Sequence, residues 1–148
     1  MKNLLKLLST ILLMALLTTG CAVNRATATV DPSARLDTVT SYHVKRFEKD
    51  ERGIDKLIAD NLRGRGYQVT TDSQAPAQAG GAVVTYVDKW FWDITMYMIE
   101  LTINIREPKT DFPLATGNSY HTSLTRKAPP EMVDEVLGNI LKEGKAKK

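Results

Sequence analysis

Met96-Tyr97-Met98-Ile99-Glu100-Leu101-Thr102-Ile103-Asn104-Ile105-Arg106 is the stretch that decides the fold, because its side chains alternate without interruption. Tyr97, Ile99, Leu101, Ile103 and Ile105 fall on one face, and Met96, Met98, Glu100, Thr102, Asn104 and Arg106 on the other. A strand with one buried and one wetted side has this period. The run 82–92 before it is also rich in β-formers. With Trp92-Asp93-Ile94-Thr95 as the turn, a hairpin is expected that pairs Ala82 with Ile105, Val84 with Ile103, Tyr86 with Leu101 and Trp90 with Tyr97. The apolar faces then coincide.

Working outward from this hairpin, Tyr67-Gln68-Val69-Thr70-Thr71 reads as a short strand, and 72–81, with its Ala, Gln, Gly and Pro, as a loop. Ile54, Leu57, Ile58 and Leu62 recur at helical spacing, with Asp50 available as a cap and Gly64 and Gly66 available as stops. Residues 36–47 alternate partly, through Thr38, Thr40, Tyr42 and Val44, and predict the first strand. On the other side, Glu107-Pro108-Lys109-Thr110-Asp111 is a turn, and 114–125 is a further strand. Pro129 and Pro130 open a last helix whose apolar positions are Val133, Val136, Leu137, Ile140 and Leu141. The expected order is β-α-β-β-β-β-α: an α+β domain in which a mixed, mostly antiparallel sheet carries two amphipathic helices on one face.

The N-terminal segment says where such a domain resides. Lys2 and Lys6 precede the apolar run 7–17, and Thr18-Thr19-Gly20 leads to Cys21, the single cysteine of the chain. A positive start, an apolar centre of this length and small residues before the cut describe an export signal. A lone thiol at the cut has no disulfide partner, but it can carry a diacylglycerol thioether. The segment resembles the lipobox of bacterial lipoproteins at Thr19, Gly20 and Cys21, with Thr18 where an aliphatic residue is usual. Cleavage is expected between Gly20 and Cys21, with Cys21 the lipid attachment site. A rival A-x-A cut follows Ala28, well past the apolar run and with Arg25 between. A retained span is excluded because crossing the hydrocarbon takes about 20 apolar residues. The divisions that follow are a signal over 1–20, a flexible tether over 21–35, one domain over 36–142 and a basic tail over 143–148.

Without the signal, which holds Lys2 and Lys6 and no acid, the chain has a net charge of +1, against +3 for the whole. That near-neutrality gives no basis for a nucleic-acid surface. With 43% hydrophobic and 25% charged residues, the composition is that of a folded globular domain.

The helix end Leu62-Arg63-Gly64-Arg65-Gly66-Tyr67, the strand Val83-Val84-Thr85-Tyr86, the turn Glu107-Pro108-Lys109-Thr110 and the terminal amphipathic helix resemble small bacterial envelope lipoproteins of unknown function with an α+β domain. Asp111 stands where a Gly is usual after that turn. The resemblance implies an envelope location and brings no catalytic residues. Ala22, after Cys21, is not the Asp that favours inner-membrane retention in the resembling lipoproteins, which implies the periplasmic face of the outer membrane.

Catalytic chemistry has thin support in the residues. His43 and His121 each stand alone in a strand, and no metal-ligand spacing, phosphate-binding glycine loop or nucleophile elbow occurs. No metal site, catalytic residue or cofactor is therefore expected. A hydrolase alternative would need a carboxylate pair such as Asp88 with Asp93 or Glu100, and alternation sends Asp88 and Glu100 to opposite faces. The last alternative is a purely structural envelope protein. The favoured expectation is a non-enzymatic binding or assembly accessory, held to the membrane through lipidated Cys21 and contacting an envelope protein or further copies of itself. Its candidate surface is Val87, Phe91, Met96 and Met98, which simple alternation places opposite Trp90, Trp92 and Tyr97, on the face away from the core.

Overall fold

The structure, a computed structural model, describes residues 24–72 and 81–146; the signal, Cys21 and most of the Ala/Gly loop lie outside them. Six strands form one sheet in the order β1-β6-β5-β4-β2-β3, where β1 is Asn24–Val30, β2 Ser41–Val44, β3 Gln68–Thr71, β4 Ala82–Asp93, β5 Thr95–Arg106 and β6 Pro113–His121. β2 runs parallel to both β3 and β4, and the remaining pairs are antiparallel. Helices α1 (Ile54–Gly64) and α2 (Pro129–Ala146) supply the second layer. The expected α+β class, mixed sheet and two helices are all present.

The core follows from the two periodicities. Val84, Tyr86, Leu101, Ile103 and Ile105 from the sheet meet Ile58 and Leu62 of α1 and Met132, Val136, Leu137 and Ile140 of α2, nearly all of them inaccessible to water. Full burial of each large apolar side chain contributes roughly 1.5–3 kcal/mol. α2 lies close against β6, because a Cβ added at Gly117 would come within 2.7 Å of Val136 Cγ1 and 2.9 Å of Ile140 Cδ1. Gly53 is the N-cap of α1 and brings no side chain, but Asp50 serves the helix start: its Oδ1 accepts the amides of Arg52 and Gly53 at 2.8 Å, and its Oδ2 accepts the first-turn amide of Asp55 at 3.2 Å and the Tyr86 hydroxyl at 2.6 Å. Burial pushes the Asp50 carboxyl up, but the Tyr86 hydroxyl and the backbone amides outweigh it and hold it below the ordinary value.

Four expectations need correction. The segment assigned as tether, 21–35, contains β1, whose seven residues pair with β6 from Asn24 opposite His121 to Val30 opposite Ala115. An edge strand held by backbone hydrogen bonds needs few apolar anchors, and here Val30 alone is fully buried. A cut after Ala28 would sever this strand. Residues 36–47 contain a single 3-10 turn, Leu36–Thr38, ahead of the shorter β2. Helix α2 continues to Ala146, so most of the basic tail is helical. The hairpin register is also shifted: Val84 faces Ile105 and Tyr86 faces Ile103. Up to Lys89 opposite Glu100 this shift by two residues leaves each side chain on its expected face, as a period of two requires.

Candidate functional site: the overhanging hairpin tip

β4 and β5 extend past their neighbours. β2 leaves β4 after Val84, and β6 pairs with β5 no nearer the turn than Glu100 opposite Tyr120. The stretch 90–98 therefore overhangs the sheet. A β-bulge marks its base: Lys89 faces Glu100 and Trp90 faces Met98, so Ile99 has no partner on β4. One extra residue reverses the alternation of β5 beyond it. Met98 thereby turns inward beside Trp90 and joins the core at 1% exposure.

This reversal corrects the candidate surface. Val87 and Phe91 are exposed at 41% and 52%; Met96 is exposed at 48% but pairs with Trp92 on the face that Met98 shares, not the opposite one, and Met98 is a core residue. Trp92, assigned inward by alternation, is 67% exposed because the strand has by then passed beyond the helices. Ile94, read as an ordinary turn residue, projects at 85% exposure. It also adopts φ +60°, the left-handed region that a β-branched side chain enters at a cost of about 1–3 kcal/mol.

Two guanidinium groups brace the base of the tip. Arg52 lies over the Trp90 ring at 4.2 Å, and Arg126 over the Tyr97 ring at 4.6 Å. Arg126 also donates to Thr95 Oγ1 at 2.7 Å and to the Ser123 carbonyl at 3.0 Å. Phe91 packs edge-on to Tyr97, with ring centroids 6.1 Å apart. Beneath lies a shallow hollow of about 270 Å³ lined by Trp90, Met96, Tyr97, Met98, Arg126 and Pro129.

The groups capable of proton chemistry lie elsewhere and are engaged in holding the fold. Ser119 Oγ and His121 Nε2 both meet Glu135 Oε2, at 2.6 and 2.8 Å, while Lys127 Nζ bonds Oε1. Burial raises the Glu135 carboxyl, but Lys127, Ser119 and His121 together outweigh it and bring it from 4.5 down to about 2. Ser119 and His121 thus share one carboxylate oxygen and do not form a nucleophile–base pair with each other. His43 links β2 to β3, with Nδ1 2.9 Å from Thr70 Oγ1 and Nε2 3.0 Å from Asp72. Sequence reasoning treated both histidines as isolated, since their partners come from other elements.

The carboxylates named for a hydrolase do not converge. Glu100 is bound by Lys89 at 2.7 Å and Asn118 at 2.9 Å, on the face away from the helices. Asp88 faces Leu101 on the inner side, where one oxygen accepts the indole N–H of Trp90. Among the described residues no group of three or more His, Cys, Asp or Glu is placed to hold a metal ion, and no helix is long and apolar enough to cross a membrane.

No family model matches the chain, and no curated protein matches it. Solved structures share its fold. The PelC dodecamer from Paraburkholderia phytofirmans is 14% identical, with a TM-score of 0.56 over 80% of this chain and 98% of that one. A point variant of that dodecamer is 15% identical, with a TM-score of 0.53 over 80% and 97% of the two chains. At this distance the similarity establishes the α+β architecture.

Proposed function

We propose that this protein is a lipid-anchored accessory of the bacterial outer membrane, on its periplasmic face, that works by docking and assembly and not by catalysis. The observation that carries the reading is the overhanging tip, where Phe91, Trp92, Ile94 and Met96 expose large apolar side chains on a braced, two-stranded arm. Aromatic and Met side chains bury much area on contact, and an exposed cluster of them marks a surface that is covered in use. The engagement of His43, His121, Glu100 and Glu135 in structural bonds supports the non-enzymatic reading.

The anchor is Cys21, carrying a diacylglycerol after cleavage behind Gly20. Each buried CH₂ of such chains contributes about 0.8 kcal/mol, so two or more chains hold where one would not. That the PelC chain of like fold is a dodecamer supports self-association as one form of the assembly. Fatty-acid labelling of wild type and Cys21→Ser tests the anchor: wild type takes up label and the variant leaves the membrane fraction. Crosslinking in intact envelopes tests the tip. Phe91→Ala/Trp92→Ala is expected to keep its melting temperature and lose its contacts; unchanged contacts would refute the docking role.

A further inference from the structure

The end of the sheet that carries the tip is also the end at which the described chain begins. Asn24 pairs with His121, just beyond the point where Tyr120 faces Glu100 at the base of the overhang. Asn24 Oδ1 accepts the Thr125 hydroxyl, and the next residue, Arg126, reaches across to Thr95 in the hairpin. The start of β1, the 3-10 turn Ser123–Thr125 and the tip thus form one rim. Leu124, in that turn, adds another exposed apolar side chain at 83%. Arg52 and Arg126 are exposed on this rim, and Asp93 is the half-buried acid at the turn.

What covers an apolar rim depends on its shape and on what lies next to it. Trp92 and Ile94 project from a narrow hairpin end, which enters a fluid medium without needing a matching recess. Cys21 precedes Asn24 by three residues, a length that spans at most about 11 Å. The thiol that would carry lipid is therefore tethered within that reach of the rim. Trp belongs to the side chains that favour the membrane–water boundary, and exposed Arg there meets anionic headgroups.

We propose that the surface on which this rim docks is the lipid bilayer, with Trp92, Ile94 and Leu124 entering the boundary between headgroups and acyl chains and Arg52 and Arg126 facing anionic headgroups. The tip is then a second membrane contact beside the anchor, and it fixes the orientation of the domain. The proposal rests on the docking reading of the tip and names its partner.

The test uses the full chain, purified from membranes in detergent and reconstituted into phosphatidylethanolamine–phosphatidylglycerol vesicles with or without brominated acyl chains. Subtracting the emission of Trp92→Phe isolates Trp92. Its emission is expected to be blue-shifted, shielded from aqueous acrylamide and quenched at least two-fold by the brominated lipid. Ile94→Asp/Leu124→Asp, which alters only exposed positions, is expected to keep its circular dichroism and abolish the quenching. Trp92 emission indifferent to bromination overturns the proposal. In that case a benzophenone placed at position 94 separates two failures. Capture of a second copy leaves the docking reading standing with a protein occupant, and capture of neither lipid nor protein ends both readings.

Discussion

The body and the tip of the β4–β5 hairpin are continuous in sequence and nearly equal in apolar content, yet they serve opposite ends. In the body, Tyr86, Leu101, Ile103 and Ile105 disappear beneath the helices. Past the bulge at Ile99, Phe91, Trp92, Ile94 and Met96 are exposed, and none of the described residues covers them. The difference teaches that an apolar side chain's role here is set by whether a helix reaches over it, and the helices stop at Trp90 and Met98. Core substitutions should therefore cost stability, and tip substitutions should cost contacts.

The sharpest way to break this comparison is Leu101→Asp, which places an unpaired carboxylate among Tyr86, Ile103 and Met132. A loss of more than about 4 kcal/mol is expected, enough to unfold the domain in a denaturant titration. The neighbouring methionines separate the two regions more finely. Met98→Ala is expected to cost about 2–5 kcal/mol and Met96→Ala less than about 0.5 kcal/mol in chemical unfolding. Equal costs would show that the bulge does not turn Met98 inward.

A third measurement concerns acid. A carboxyl held down in the folded state contributes stability that is complete above its unfolded value and is lost as pH falls through the folded one. For Glu135 that window runs from 4.5 down to about 2. Thermal melts across it should fall for wild type and fall less for Glu135→Gln, whose starting stability is lower. The smallest effect has the opposite sign. Ile94→Asn accepts φ +60° more readily, so it should gain about 1 kcal/mol while weakening whatever the tip binds.

Much of this architecture was legible in the sequence. Ile58, Leu62, Val136 and Ile140 announced their helices because a 3.6-residue period exposes one stripe, and Leu101 to Ile105 announced β5 because a period of two exposes one face. The role of Asp50 at the helix start was legible from its position just ahead of that stripe. β1 was not, because Asn24 to Thr29 bury almost nothing and hold their place through backbone bonds to β6, which leave no mark on composition. The bulge was equally silent. Met98 and Ile99 are both apolar, so inserting one residue changes the direction each side chain takes without disturbing the hydrophobic pattern. The error at the site has two sources: the unmarked residue turns Met98 inward, whereas Trp92 keeps its place in the alternation of β4 and is exposed because the strand runs past the helices. The partners of His43 and His121 were hidden for another reason: each bond joins elements far apart in the chain.

The pairing of β1 with β6 has a further consequence, for the order in which the molecule can be made. Among the described residues, 24–30 pair with 115–121 alone, so this strand, the first of those described to emerge, waits until nearly the whole polypeptide is available. Closing a loop of that size is slow compared with forming the β4–β5 hairpin, whose arms are joined by a single residue. Assembly therefore runs from the middle of the chain outward, and the N-terminal end, the part nearest Cys21, is the last to be stitched into the sheet.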